Sequence, residues 1–380
     1  MKKIRIVIQN LKFGGAEKTL IDFLKNYDRN SYSVELVLHT KEGQLLDEVP
    51  EDVSIRNIVP LEKGFFSKVA RSSFFKALKY FPLLAKMIIQ RRLGRADLTV
   101  AYLEGIATEI SSVLDGPKIA WVHTDLSSNP WTDIFFRNMD AQKKAYEQFQ
   151  KIIFVSRGGE VSFKRRFGSD FLWPTAILPN PIDTERIRKQ ANILNSEFTE
   201  WKEKTKGTIR LITVGRMDPI KRVDLLIKGF LQARKNDFLL SLTIIGDGRE
   251  LNNLKSQFGQ TEGLYFLGFQ KNPTPYVKNS QMFISTSLVE SYPTSIIESL
   301  ILGTPVIATE NVGSKEILNG LSDVMIPSKV TEADLAMKIT ESLKSLSQRQ
   351  QAIEPLVKRF ELEQVLHKYY EVFDEAMKDG

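Results

Sequence analysis

The chain of 380 residues contains no cysteine, which excludes disulfides and thiolate-held metals. Histidine is almost as scarce. His39, His123 and His367 lie far apart in sequence, and no two have zinc-motif spacing. No D-x-D occurs, so a metal held by that motif is not expected. The G-x-G-x-x-G of dinucleotide folds, the G-x-x-x-x-G-K-[ST] of phosphate loops and the G-x-S-x-G of nucleophile elbows are missing as well. There is no run of about 18 apolar residues, so no segment is expected to span a bilayer. The opening MKKIRIVIQN is basic, but it reads as a short strand without a small-residue cleavage site, not as a signal peptide.

Apolar residues make up 42% of the chain, enough for packed cores, and the length suits two domains. Net charge is +7 and is unevenly spread. Up to Asp183 there are 27 Lys and Arg against 21 Asp and Glu; beyond it the count is 26 against 25. The excess in the first half points to an anionic partner for that half.

Apolar runs alternate with helical patterns. Ile4–Gln9, Val34–His39, Leu98–Tyr102, Lys118–Val122 and Ile152–Val155 read as strands, with a helix from Ala16 to about Tyr27 after a Gly-Gly loop. The polar stretch Thr184–Lys206 interrupts this rhythm and reads as a link with a polar helix. Strand patterns then resume at Ile209–Val214, Leu240–Ile245, Leu264–Leu267, Met282–Ser285 and Pro305–Ala308, with a helix at Val223–Ala233. Leu362–Met377 is helical and is expected to return to the first domain. The pattern predicts an α/β protein of two doubly wound domains, 1–183 and 207–358, with a link at 184–206 and a closing segment at 359–380. A cleft is expected at the carboxyl ends of both sheets.

Two segments carry candidate chemistry. Val214–Arg222 follows a strand and opens a helix, so Arg216 and Lys221 can converge on a diphosphate, or else cap a turn in solvent. Glu290–Glu298 (ESYPTSIIE) spans a loop and the following helix start, where free N–H groups favour phosphate. Glu298 can accept hydrogen bonds from ribose hydroxyls and Glu290 from sugar hydroxyls. Ser295-x-x-Glu298 also reads as a capping box.

Taken together, Val214–Arg222, Ile245–Gly248, Leu267-Gly268-Phe269, Glu290–Glu298 and Gly303–Thr309 resemble glycosyltransferase family four, in order and approximate spacing. In the first half, Gly14-Gly15-Ala16-Glu17 resembles that family's glycine-rich first loop. Trp121–Asp125 resembles the segment carrying a cleft histidine, here His123. Val155-Ser156 and Leu178–Asp183 resemble the approach to the interdomain crossing, with Pro181 where many members have glycine. The resemblance implies a GT-B fold, two facing Rossmann-like domains, and a retaining glycosyltransferase. It implies that Arg216 and Lys221 neutralise the leaving diphosphate. Gly14, Gly15, Gly268, Tyr292, Pro293, Thr294, Ser295, Glu290 and Glu298 would line the donor, and His123 would join Glu290, Arg216 and Lys221 in catalysis. No cofactor or metal would be needed, and the donor would be a nucleotide sugar, most commonly UDP-linked in that family.

Residues 63–96 carry nine cations, no acid and many apolar side chains. Lys68, Arg71, Lys76 and Lys79 are its expected membrane or acceptor contacts, and Phe65, Phe66, Phe74 and Phe75 its inserting side chains, unless the segment is a helix pair packed on the sheet. The expected acceptor is a glycan or lipid-linked group of surface-polymer synthesis, met at the inner face of the cell membrane by a cytoplasmic, peripheral enzyme. Two other readings are an epimerase or hydrolase of free nucleotide sugars and a basic nucleic-acid binder. The second is disfavoured, because cations interleave with acids outside 63–96 and no nucleic-acid motif occurs.

Overall fold

The computed structural model describes residues 1–12, 14–58, 65–168, 173–235, 239–321 and 324–378, and for 65–71 the backbone only. The chain divides into two compact units. One comprises Met1–Ile182 with Leu362–Gly380, and the other Asp183–Glu361.

The first unit holds seven parallel strands: β1 (Lys2–Ile8), β2 (Tyr32–Leu38), β3 (Ser54–Asn57), β4 (Leu98–Ala101), β5 (Lys118–Val122), β6 (Lys151–Phe154) and β7 (Thr175–Ile177). Their order is β3-β2-β1-β4-β5-β6-β7. The central strands β1, β4 and β5 are buried nearly throughout, as parallel strands covered on both faces require. Helix α1 (Gly15–Asn26) follows β1, and α2 (Phe65–Tyr80) and α3 (Pro82–Leu93) precede β4. Helix α4 (Ile106–Ser112) follows β4.

The C-terminal helix, Leu362–Lys378, belongs to this first unit. Tyr369 lies 4.5 Å from Trp121 and 5.8 Å from Phe23, ring centre to ring centre. Asp374 accepts from Lys2 and Tyr32, each at 2.8 Å. A face of aromatic side chains thus buries the helix while charges fix its register.

The second unit has six parallel strands: β8 (Ile209–Val214), β9 (Leu240–Ile245), β10 (Leu264–Gly268), β11 (Met282–Ser285), β12 (Val306–Thr309) and β13 (Met325–Ile326), in the order β10-β9-β8-β11-β12-β13. Its core joins Leu211, Leu226, Phe230, Leu242, Ile284, Ile307 and Leu335. The stretch expected as a link with a polar helix, Thr184–Lys206, holds two helices, Thr184–Gln190 and Ser196–Lys204. Asp183 and Asn195 cap them, and both helices group with the second unit. Phe198 and Trp201 supply the apolar face, and Trp201 donates to Thr243 at 2.8 Å.

In both sheets the strand order reverses beside the first strand of the unit, between β1 and β4 and between β8 and β11. Doubly wound sheets bind ligands outside the carboxyl ends of the strands at such a reversal.

Candidate functional site

The second unit's reversal is where the sequence placed its chemistry. After β8 the chain makes a tight 3-10 turn, Pro219–Lys221, and Arg222 takes a left-handed conformation with φ 50°. That conformation is strained for arginine. Thr286, just past β11, compensates by donating to the carbonyls of Lys221 and Arg222 at 2.9 and 3.0 Å. Leu288 N–H donates to the Ile220 carbonyl at 2.9 Å, so the two loops are laced together.

The lacing brings Lys221 against Glu290 as a close ion pair, with both side chains about four-fifths buried. Gly313 N–H donates to the Glu290 carbonyl at 2.7 Å, fixing the backbone of the same residue. Gly313 itself cannot carry a side chain: a Cβ there would stand 2.6 Å from Pro293 Cδ and 2.7 Å from the Ser291 carbonyl.

The next helix, Thr294–Ile301, begins with buried Pro293 as N-cap. Ser295 is therefore the second helical residue, and the capping box does not form: no side chain caps this helix, and the Ser295 carbonyl instead accepts from Ser299 at 2.7 Å. The first amides, those of Thr294 and Ser295, have no intrahelical acceptor. Glu298 lies one turn in and is half-buried. Burial holds the Tyr292 phenol well above its ordinary pKa.

Arg216 stands apart from this packed group. Its side chain is 71% exposed and reaches Asp218 only at 3.4 Å. Asp218 is shared with Arg249 at 3.3 Å. The Gly246–Glu250 turn meets the Arg216 loop through Met217, which donates to Asp247 at 2.8 Å and accepts from Glu250 at 2.9 Å. Gly246 and Gly248 make that approach possible; a Cβ at Gly246 would stand 1.8 Å from the Gly215 carbonyl. Arg249 is thus a second exposed cation beside Arg216, one residue beyond the Gly246–Gly248 pattern and not singled out by sequence. Gly268 ends β10 with φ 67°, and its carbonyl accepts from Gly246 at 2.8 Å.

In the first unit, Gly14 caps α1 in extended conformation, and a Cβ there would meet the Glu17 carboxylate at 2.3 Å. Glu17 therefore folds back over Gly14. A carboxylate at that place accepts from hydroxyls and repels phosphate. His123 lies just past β5, buried against the Tyr102 ring at 5.0 Å. Neither ring nitrogen makes a well-formed hydrogen bond. Burial drives the imidazole pKa down to about 3, opposed weakly by the Tyr102 backbone, so the ring is neutral at neutral pH. Glu104, unmarked by sequence, holds the loop: it accepts from His123 N–H at 2.8 Å and from the Thr124 hydroxyl. Burial raises the Glu104 pKa.

Of the basic stretch, Lys76 is exposed. Lys79 is half-buried, donating to the Ile134 carbonyl at 3.3 Å and lying 6.0 Å over the Phe75 ring. Phe74 and Phe75 pack against the core and do not face solvent as inserting groups; Phe75 meets Phe135 at 5.7 Å. Composition alone does not distinguish the faces of a helix. Lys63, and the side chains of Phe65, Phe66, Lys68 and Arg71, lie outside the described residues.

Comparison with known proteins bears on the second unit and on the fold. Residues 208–345 match the family model described as glycosyl transferases group 1. An uncharacterised glycosyltransferase of Methanocaldococcus jannaschii is 31% identical over 148 residues, 38% of this chain and 36% of the relative. The alpha-monoglucosyldiacylglycerol synthase of Streptococcus pneumoniae is 32% identical over 176 residues, 44% of this chain and 39% of the relative. The chain therefore matches little more than a third of the length of these relatives. The fold likeness is more extensive. The Anabaena protein HepE, solved with UDP and glucose, superposes with a TM-score of 0.75 at 18% identity, covering 99% of this chain and 100% of HepE. The fold is of the GT-B type, built from two Rossmann-like units, and the glycosyl transferases group 1 match lies in the second.

Proposed function

We propose that the chain is a retaining glycosyltransferase that moves a hexosyl or N-acetylhexosaminyl group from a nucleotide diphosphate sugar to a glycan or lipid-linked acceptor. The observation that carries the reading is the coincidence of the laced β8–β11 loops with the stretch that matches the family model. Lys221 and Arg216 neutralise the diphosphate as it leaves, which is the largest single contribution to lowering the barrier. Glu298 holds the ribose, and Glu290 holds the transferred sugar. The N-terminus of Thr294–Ile301 offers its free amides to phosphate. Tyr292 and Pro293 shape the loop, and Gly268 lets backbone approach the base. In the first unit Gly14 and Gly15 line the sugar side, and His123 serves as a neutral polar group near the reacting centre.

UDP is the favoured carrier; HepE was solved with it. A membrane-borne acceptor accords with the pneumococcal relative, named for a diacylglycerol product. Peripheral attachment at the inner face of the cell membrane follows from that acceptor. No helix among the described residues is long and apolar enough to cross a membrane.

The test is a thermal-shift screen of nucleotide sugars, followed by transfer to detergent-solubilised lipid acceptors with and without EDTA. A donor at about 100-fold its dissociation constant should add about 2.7 kcal/mol of stability. Transfer should survive the chelator, because cations on the protein serve the diphosphate. Loss in EDTA with rescue by magnesium or manganese would overturn metal independence. Absence of any nucleotide-sugar shift would overturn the donor assignment.

A further inference from the structure

Helix α3 is anchored from within the first unit. Arg5, buried on β1, pairs with buried Glu35 at 2.7 Å and donates to the Leu93 carbonyl at 2.7 Å and the Gly94 carbonyl at 3.2 Å. A fixed cation therefore holds the carboxyl end of the helix. Ala85, Ile89 and Leu93, four residues apart, form the stripe that joins the core.

The opposite stripe of a helix facing water is ordinarily polar. On α3 it is apolar. Leu83 is 78% and Met87 70% exposed, with Leu84 and Ile88 exposed beside them. Tyr80 and Phe81, at the corner joining α2 to α3, are exposed as well. Scattered exposed apolar residues are ordinary, but a contiguous set on one helix face marks an interaction surface. The flanking charges have one sign. Lys76 lies one turn before Tyr80 and Arg91 one turn after Met87; both are exposed and make no ion pair among the described residues. Between 63 and 96 there is no acidic residue to neutralise them.

We propose that the outer face of α3 and the α2–α3 corner form a bilayer-docking surface. Tyr80, Phe81, Leu83, Leu84, Met87 and Ile88 enter the headgroup–acyl boundary, and Lys76 and Arg91 meet anionic lipid phosphates. The inference deepens the proposed function and rests on its membrane-borne acceptor. A surface helix needs to sink only about 5–10 Å to bury such a face. A second copy of the chain suits the patch less well. A twofold contact would set the same cations against each other without a carboxylate between them, whereas an anionic membrane supplies the missing sign.

Flotation of the full chain with phosphatidylglycerol-rich vesicles and with pure phosphatidylcholine vesicles tests the proposal. The wild type should float with the anionic vesicles at low salt and dissociate as salt rises. Leu83→Gln with Met87→Gln, both at exposed positions, should lower partition about a hundredfold. Lys76→Glu with Arg91→Glu should lower it more than about tenfold and flatten the salt dependence. Circular dichroism and UDP calorimetry on the same proteins report fold and donor site separately. A wild type that stays soluble at low salt, or a Gln pair that floats like wild type, overturns the docking surface. So does light scattering that shows a dimer which the Gln pair splits. A chain that binds UDP but not vesicles sinks this inference alone, and one that binds vesicles but not UDP sinks the transferase reading alone.

Discussion

At the carboxyl ends of β8 and β11, charged and strained groups are matched by partners: Lys221 by Glu290, the Arg222 turn by Thr286, and the Glu290 backbone by Gly313. At the ends of β4 and β5 the pattern differs. His123 is buried with neither ring nitrogen in a well-formed hydrogen bond, and Glu109 on α4 keeps one carboxylate oxygen buried and unpaired. The first arrangement is organised before any ligand arrives. The second stores desolvation cost in neutral groups, which a ligand or a pH change can release.

The largest test of the contrast is Lys221→Ala. It removes a charge from a leaving diphosphate and strands Glu290, so turnover should fall about 10²–10³-fold, or about 2.7–4 kcal/mol of barrier. Arg216→Ala should also slow turnover, yet leave ligand-free stability within about 0.5 kcal/mol, because its exposed side chain holds no packed group. Single-turnover rates and urea melts on both variants separate the two. Near-normal turnover in Lys221→Ala would end the diphosphate assignment.

Gly313→Ala probes the lacing itself. The added methyl has backbone and proline within 2.7 Å, and backbone cannot yield as a flexible side chain does. A cost of about 1–3 kcal/mol is expected, together with weaker donor binding as Glu290 shifts. Unchanged melting with unchanged UDP affinity would show that the loop is not held as described.

How far the sequence was legible follows the same contrast. β5, β8, β9 and β11 match the residues expected as strands, because central parallel strands read as unbroken apolar runs. β3, β7 and β13 were not foreseen; they are short sheet-edge strands, and three of the four residues of β3 are polar. In the candidate site the residue types were readable but their pairing was not. Nothing in the spacing says that Lys221 and Glu290, 69 residues apart, meet. Glu104 was missed because its partner is largely a backbone amide, which leaves no pattern. The half-burial of Lys79 and the exposure of Leu83 and Met87 depend on helix phase within a segment where basic and apolar residues are mixed throughout.

The last effect expected, visible only as a pH dependence, concerns Glu109. Burial pushes its carboxyl up to about 8, opposed by Lys79, from an ordinary value of 4.5. The folded pKa lies above the unfolded one, so the native state binds more protons between those values. The group's contribution to stability is complete below about pH 4.5 and is lost as pH rises through 8. Glu109→Gln cannot ionise and escapes that loss. Its melting temperature should therefore gain on the wild type steadily from pH 5 to 8, with a final difference on the order of 1–3 kcal/mol. His123 shifts the opposite way, losing stability as pH falls from 6.5 toward about 3, but it is common to both proteins and cancels in the comparison. Melting curves that run parallel across that range would mean that Glu109 is ionised in the folded chain, with Lys79 as its effective partner.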